Sequence, residues 1–295
     1  MDVVSMYLKA EKTASRAGVT RPRSSNLSGI VLLLVLLLTM LPFLSGCSKI
    51  MSVFGGSAGP RVEVLLYHSL EPGGSETWPV VDPNVFCSQI DLLLEKGWQP
   101  LTLHQFAAWA KGEKELEENA FLLTFDDGAE SIYHYAFPYL LHNEIPAVVF
   151  LIGKHHDPCH ELTEKVWVPK LNDSQIEEMF QSGLVAFQSH SYDLHREIGD
   201  KPAALAVSPS RVLDDFLQSR EVIEDLTGKD VYCIAYPFGA ANCDIVKAAE
   251  KAGFQIGFAL NGQEESGQSA EELLLINRVP LDNYSLEQFR DYFDI

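Results

Sequence analysis

Phe121-Leu122-Leu123-Thr124-Phe125-Asp126-Asp127-Gly128 is an apolar run that stops at two adjacent carboxylates and a glycine. It reads as a buried strand running into a turn. Taken alone, Asp-Asp-Gly is ordinary turn chemistry, because Asp and Gly favour turns for local reasons. A second segment changes its meaning: Ser189-His190-Ser191-Tyr192-Asp193-Leu194-His195. Imidazoles five residues apart lie about 140° apart around a helix and on opposite faces of a strand. They converge on one ion only if the segment bends. Ala186-Phe187 accordingly reads as a buried strand ending at His190, and Ser191-Tyr192-Asp193 as the turn that carries His195. One carboxylate and two neutral imidazoles form a facial set of metal ligands, with positions left for water and substrate. The other carboxylate is then free to act as a base on that water. The pair of segments points to a metal-dependent hydrolase.

Outward from this pair, strands are expected near 62–67, 120–125, 147–152, 184–189, 231–236 and 256–260, with a weaker one at 273–276. Helices are expected around 83–96, 130–143, 173–182, 209–227 and 241–252. Alternating strands and helices make an α/β fold with parallel connections. Lys111 to Glu118 is a charge run, read as a solvated loop, and no internal repeat or second domain is evident.

Together the motifs resemble carbohydrate esterase family 4, the polysaccharide deacetylases. Thr124-Phe125-Asp126-Asp127-Gly128 is similar to the family's first motif and His190…His195 to a one-residue-longer form of its second. Ala235-Tyr236-Pro237-Phe238-Gly239 is similar to its third, and the likeness runs from about Val62 to Phe293. The resemblance implies a single domain, a distorted, incompletely closed (β/α)7 barrel. It implies Asp126 as general base, and Asp127, His190 and His195 as ligands of a divalent metal, zinc first, with cobalt or nickel as alternatives. It also implies that Tyr236, Pro237, Phe238 and Gly239 line the substrate groove, with a backbone N–H near Tyr236 helping to hold the oxyanion. The implied reaction removes N-acetyl groups from an N-acetylglucosamine-containing polysaccharide, an exopolysaccharide or peptidoglycan. The longer histidine spacing resembles the deacetylases of exported poly-N-acetylglucosamine.

The chain departs from the family pattern in two further places. The family's third motif often carries Arg two residues before its Pro, where Ala235 stands here. Arg278, in Ile276-Asn277-Arg278-Val279-Pro280, is the candidate to brace the base instead. The family's late Leu-x-His, the usual general acid, is missing, and no His follows His195. His68, ending the run Val62–Tyr67, takes its place as candidate acid, because barrel active sites gather at the carboxyl ends of strands.

His155, His156, Asp157, Cys159 and His160 form a rival cluster of metal-ligand types, read as an exposed loop outside the primary site. Tyr67, Tyr192, Tyr236, Phe238 and Trp167 are aromatic candidates for sugar stacking, with core packing the commoner role. Cys87, Cys159, Cys233 and Cys243 allow three disulfide pairings or buried free thiols, and none has Cys-x-x-Cys spacing.

Five basic residues precede the apolar stretch Ile30–Leu44, too short to span a bilayer at about 20 residues. Leu44-Ser45-Gly46-Cys47 resembles a lipoprotein processing site. The expected organisation is a signal peptide at 1–46, a lipidated flexible tether at 47–60 and a catalytic domain at 61–295. Cys47 would hold a monomer on the cell membrane, facing the extracytoplasmic side. The net charge of −19 becomes −22 without the leader, which opposes nucleic acid as a partner. An O-acetyl esterase acting on a xylan-like glycan, and a glycan- or metal-binding lipoprotein without turnover, are the alternatives.

Overall fold

The computed structural model describes residues 59–75, 79–159, 168–260, 270–282 and 284–295. Cys47 and its leader, His160 and Trp167 lie outside them, and so do the lipid-anchor and stacking-Trp expectations. Among the described residues no helix is long and apolar enough to cross a membrane.

Eight parallel strands form the molecule's centre: β1 (Val62–Tyr67), β2 (Ala120–Phe125), β3 (Ala147–Leu151), β4 (Val185–Ser189), β5 (Cys233–Ala235), β6 (Ile256–Ala259), β7 (Ile276–Asn277) and β8 (Val279–Pro280). The spatial order is β7-β6-β5-β4-β3-β2-β1-β8, so each strand but the last neighbours its sequence predecessor. The two ends of this path, β7 and β8, are separated in sequence by Arg278 alone. One kinked segment therefore pairs with β6 on one side, Phe258 opposite Ile276, and with β1 on the other, Leu65 opposite Val279. The result is a nearly closed barrel with one unsealed seam, in which β7 and β8 together act as a seventh stave.

Burial explains the strand sequences. All six residues of β2 are buried, because one face fills the barrel and the other meets helices. Val64, Leu122, Val148, Phe150, Ala235, Ile256 and Phe258 pack together in the interior. Their neighbours Leu65, Leu123, Val149, Leu151 and Ile234 face the helices instead. Adjacent β4 and β5 share only one register pair, Ile234 with Ser189. The Gln188 side chain substitutes for the missing ladder, its Oε1 accepting from the N–H groups of Tyr232 at 2.9 Å and Cys233 at 2.7 Å.

The surrounding helices begin where local chemistry starts them. Helix α1 (Pro83–Glu95) has Asp82 as its cap and Pro83 in its first turn. Helices α2 (Leu103–Ala110), α4 (Asp173–Gln181) and α7 (Leu286–Phe293) open with capping boxes, Thr102/Gln105, Asn172/Gln175 and Ser285/Gln288. Helix α3 (Phe137–Asn143) continues a wider π turn at Ile132–Ala136. Helix α5 (Pro209–Thr227) runs from a Ser208 cap to Gly228, and α6 (Cys243–Lys251) follows Asn242.

Three expectations need correction. The weak strand at 273–276 is a short helix, Ala270–Leu273, followed by β7, because only Ile276 and Asn277 reach the β6 edge. Helices α2 and α7 were not anticipated. The described cysteines 87, 159, 233 and 243 are free thiols, so the disulfide alternative does not hold for them. The charge run at 111–118 is a loop without regular structure, as read.

Candidate active site

The sequence-predicted residues converge on the carboxyl-terminal rim of the barrel. Inward-facing positions recur every second residue, and Leu122, Thr124 and Asp126 share one face of β2 and its extension. Asp126 therefore points inward just beyond the last strand residue, where it is 2% exposed. The same alternation along 186, 188 and 190 brings in His190, and along 276 and 278 it brings in Arg278.

Arg278 grips Asp126 with both arms, Nη1 on Oδ1 at 2.7 Å and Nη2 on Oδ2 at 2.6 Å. A buried carboxylate needs such compensation, and the planar guanidinium supplies it bidentately. Burial pushes the Asp126 carboxyl up, but Arg278, His190 and His68 together hold it below the usual range.

Asp127, His190 and His195 form a second group. Asp127 Oδ1 lies 3.4 Å from His190 Nε2 and 3.3 Å from His195 Nε2. His190 donates from Nδ1 to the Ala235 carbonyl at 2.8 Å, which leaves Nε2 as the lone-pair nitrogen facing Asp127. Burial is the main force pressing both imidazoles toward neutrality, His190 down to about 4 and His195 downward. Asp127 sits well below the usual carboxylate range: burial opposes this, while His195, Lys170 and His190 favour the charge.

A divalent metal fits this trio on the molecule's own evidence. Asp127 Oδ1 is buried with no hydrogen-bond partner, an atom short of a cation. One carboxylate and two neutral imidazoles, with ligand atoms within 4.8 Å of one another, are a donor set of the right chemistry. The Ala235 carbonyl behind His190 is the outer contact such ligands ordinarily have. It is the sole such trio among the described residues.

Backbone strain gathers at the same rim. Five non-glycine residues have positive φ among those described: Glu144 and Asp294 end helices, whereas Asp127 (+69°), Ser191 (+68°) and Phe238 (+58°) follow β2, β4 and β5. Each turns the chain at a strand end to aim a side chain.

His68, just past β1, is 7% exposed and faces Asp282, which follows β8. Asp282 takes the His68 N–H on Oδ1 at 3.1 Å and meets the ring Nδ1 with Oδ2 at 2.9 Å. Burial presses His68 toward neutrality, but Asp282, aided by Asp127 and Asp126, raises it to about 9. The pairing with Asp282 favours the protonated ring. Sequence reasoning missed Asp282, whose relation to His68 is purely tertiary.

The third motif is placed differently from expectation. Tyr236 is fully buried on the outward face of the barrel, and its N–H is taken by the Phe258 carbonyl at 3.0 Å. Its ring does not line a groove, because the position after inward Ala235 must point outward, and its own N–H is already given to Phe258. Pro237 is buried, and a Cβ at Gly239 would collide with Leu260, so both shape the turn. Phe238 alone reaches the site, its ring stacked on His195 at 4.7 Å between centroids and 14° between planes.

The remaining aromatics are occupied. Tyr67 is in the core and donates to Gln89, and Tyr192 donates to Asp157. In the rival cluster, His156 meets Asp173 at 3.6 Å and Asp157 serves Tyr192, so the described members do not converge on one point. His160 is outside the described residues.

Among curated relatives, the poly-beta-1,6-N-acetyl-D-glucosamine N-deacetylase of Staphylococcus epidermidis is 33% identical over 205 residues, 68% of each chain. The chain belongs to the polysaccharide deacetylase family. The family's own profile, described as polysaccharide deacetylase, matches residues 113–257. A putative polysaccharide deacetylase of Bacillus subtilis, YxkH, is 30% identical over 197 residues, and the present chain spans 63% of its length. Among solved structures, IcaB from Ammonifex degensii superposes with a TM-score of 0.67 at 25% identity, over 79% of this chain and 96% of that one. A de-N-acetylase from Aggregatibacter actinomycetemcomitans superposes with a TM-score of 0.68 at 24% identity, over 79% and 99%. The latter likeness is one of fold.

Proposed function

We propose that the chain removes N-acetyl groups from a poly-N-acetylglucosamine, with a β-1,6-linked polymer the first candidate. The observation that carries this reading is the meeting, on one rim, of the Arg278-braced Asp126, the Asp127, His190 and His195 trio, and the imidazole of His68 paired with Asp282. The staphylococcal relative's name supplies the polymer.

Asp127, His190 and His195 would hold a divalent ion, which when bound polarises the amide carbonyl and makes water a better nucleophile. Asp126 accepts the proton of the attacking water. Arg278 keeps Asp126 ionised and fixes both of its oxygens, trading some basicity for the correct protonation state and aim. His68, held through Nδ1 by Asp282, delivers a proton from Nε2 to the departing amine, which must leave as a neutral group. Acetate and a free glucosamine-type amine are the products. Phe238 supports the ring of His195 rather than offering that face to sugar.

Zinc is the proposed ion, and anchoring through a lipid on Cys47, on the extracytoplasmic side, is proposed from the leader sequence. The test follows acetate release by the purified full chain from N-acetylated and O-acetylated oligosaccharides. Release from N-acetylglucosamine oligomers, lowered about 10²–10⁴-fold in Asp126→Asn, supports the reading. Release confined to O-acetylated xylan oligomers would make it an O-acetyl esterase instead.

A further inference from the structure

Helix α5 carries a polar stripe on a face that is otherwise packed: Arg211, Asp215 and Ser219, spaced four apart and so aligned on one side. Asp215 and Ser219 are 0% exposed. Neither touches a proposed ligand. What they hold is the backbone between the two ligand histidines. Asp215 Oδ1 accepts from the Tyr192 N–H at 2.7 Å, and Oδ2 from the Asp193 N–H at 2.9 Å. Ser219 Oγ lies 2.7 Å from Ser189 Oγ, which in turn accepts from the Ser191 N–H at 3.1 Å. Three consecutive backbone donors are thus fixed by side chains at the point where the chain has left the sheet. The carbonyls of the same turn are held from the other side, by the N–H groups of Gly153 on Ser191 and Lys154 on Tyr192. Ser191 itself sits at φ +68°.

We propose that Asp215 is a positioning residue for the metal site, fixing the Ser191–Asp193 turn so that His190 and His195 aim at one point. The proposal rests on the metal reading of Asp127, His190 and His195. The placement is costly for stability alone. A fully buried carboxylate has only two amide donors and the half-exposed Arg211, at 3.4 Å, to offset its desolvation. Burial pushes its carboxyl up to about 6 in spite of those donors. An apolar residue would fill the space, but it would leave two N–H groups unpaired and the turn free to take other shapes. Both oxygens are used, so an amide replacement satisfies one N–H and opposes the other with its own NH₂.

The test compares the full chain with Asp215→Asn and Ser219→Ala, and with Leu217→Ser, at an exposed position of the same helix, as control. Zinc affinity is measured by competition with a chromophoric chelator, and site geometry by the visible absorption of the cobalt-loaded protein. The expected result is an affinity loss of about 10- to 100-fold in Asp215→Asn, with an altered cobalt spectrum, a melting temperature near that of the wild type and no change in the control. A folded Asp215→Asn with wild-type affinity and spectrum overturns the proposal. If that variant does not fold, Ser219→Ala decides: a smaller affinity loss supports the proposal, and unchanged affinity overturns it. A wild-type chain that binds no zinc overturns the metal reading and this proposal with it.

Discussion

Asp126 is charged and buried, and Arg278 is what makes that state tolerable. Removing one partner leaves the other unpaired, so Arg278→Met is expected to cost about 3–5 kcal/mol in urea denaturation. The double variant Asp126→Asn/Arg278→Met recovers most of it, though not activity. His68 supplies a second prediction. Its raised value, about 9, means that the acid's proton is present at neutral pH and lost as pH rises through that range. A bound cation would press the value downward, placing the high-pH limb of kcat/KM at or below 9. Asp282→Asn removes the largest favourable influence and moves the limb further toward neutral pH, as pH–rate profiles of the two proteins would report. Asp126, Asp127, His190 and His195 were legible in the sequence because each sits beside its own strand-end signal. Asp282 lies 214 residues from His68, and Asp215 holds Tyr192 from 23 residues away on a separate helix. Neither position carries a local pattern, because its role exists only in the fold.

The elements show where pattern suffices and where it fails. Strands β1 to β4 were readable because each of these five- or six-residue strands contains an unbroken apolar run of three or more residues. Strands β7 and β8 are two residues each, with Arg278 between them, and no periodicity marks so short a segment. Helices α2 and α7 did carry a signal, the capping boxes at Thr102/Gln105 and Ser285/Gln288, with apolar partners such as Phe289 and Phe293 four apart. Ser285→Ala should cost about 1 kcal/mol, the usual value of a lost cap, measured by thermal or urea unfolding. Motif three misled for a geometric reason: a family motif names residues, but alternation decides which face each meets, and it sends Tyr236 outward. Gly239 is the turn's fixed point at φ +63°, with Leu260 against it. Gly239→Ala is expected to destabilise by about 1–3 kcal/mol from the backbone conformation alone, and more from the collision.

At the scale of the molecule, the barrel gathers residues from both ends of the domain. His68 follows its first strand and Asp282 its last, and the β7–β8 segment that bridges the seam delivers Arg278 to Asp126 on the way. The fold class was legible from strand–helix alternation, and the incomplete closure came only with the family resemblance. The acidic balance, −19 over the whole chain, suits a neutral glycan and favours its cationic product, but it selects no linkage. The central claim is that these residues perform a metal-dependent N-deacetylation. The most direct measurement strips the full chain of metal, titrates it with zinc, cobalt or nickel, and follows acetate and free amine from β-1,6- and β-1,4-linked N-acetylglucosamine oligomers. The account predicts release only with metal, preference for the β-1,6 linkage, and loss of release in both Asp126→Asn and His190→Ala. Tight metal binding that depends on His190, without release from any acetylated glycan, would contradict it.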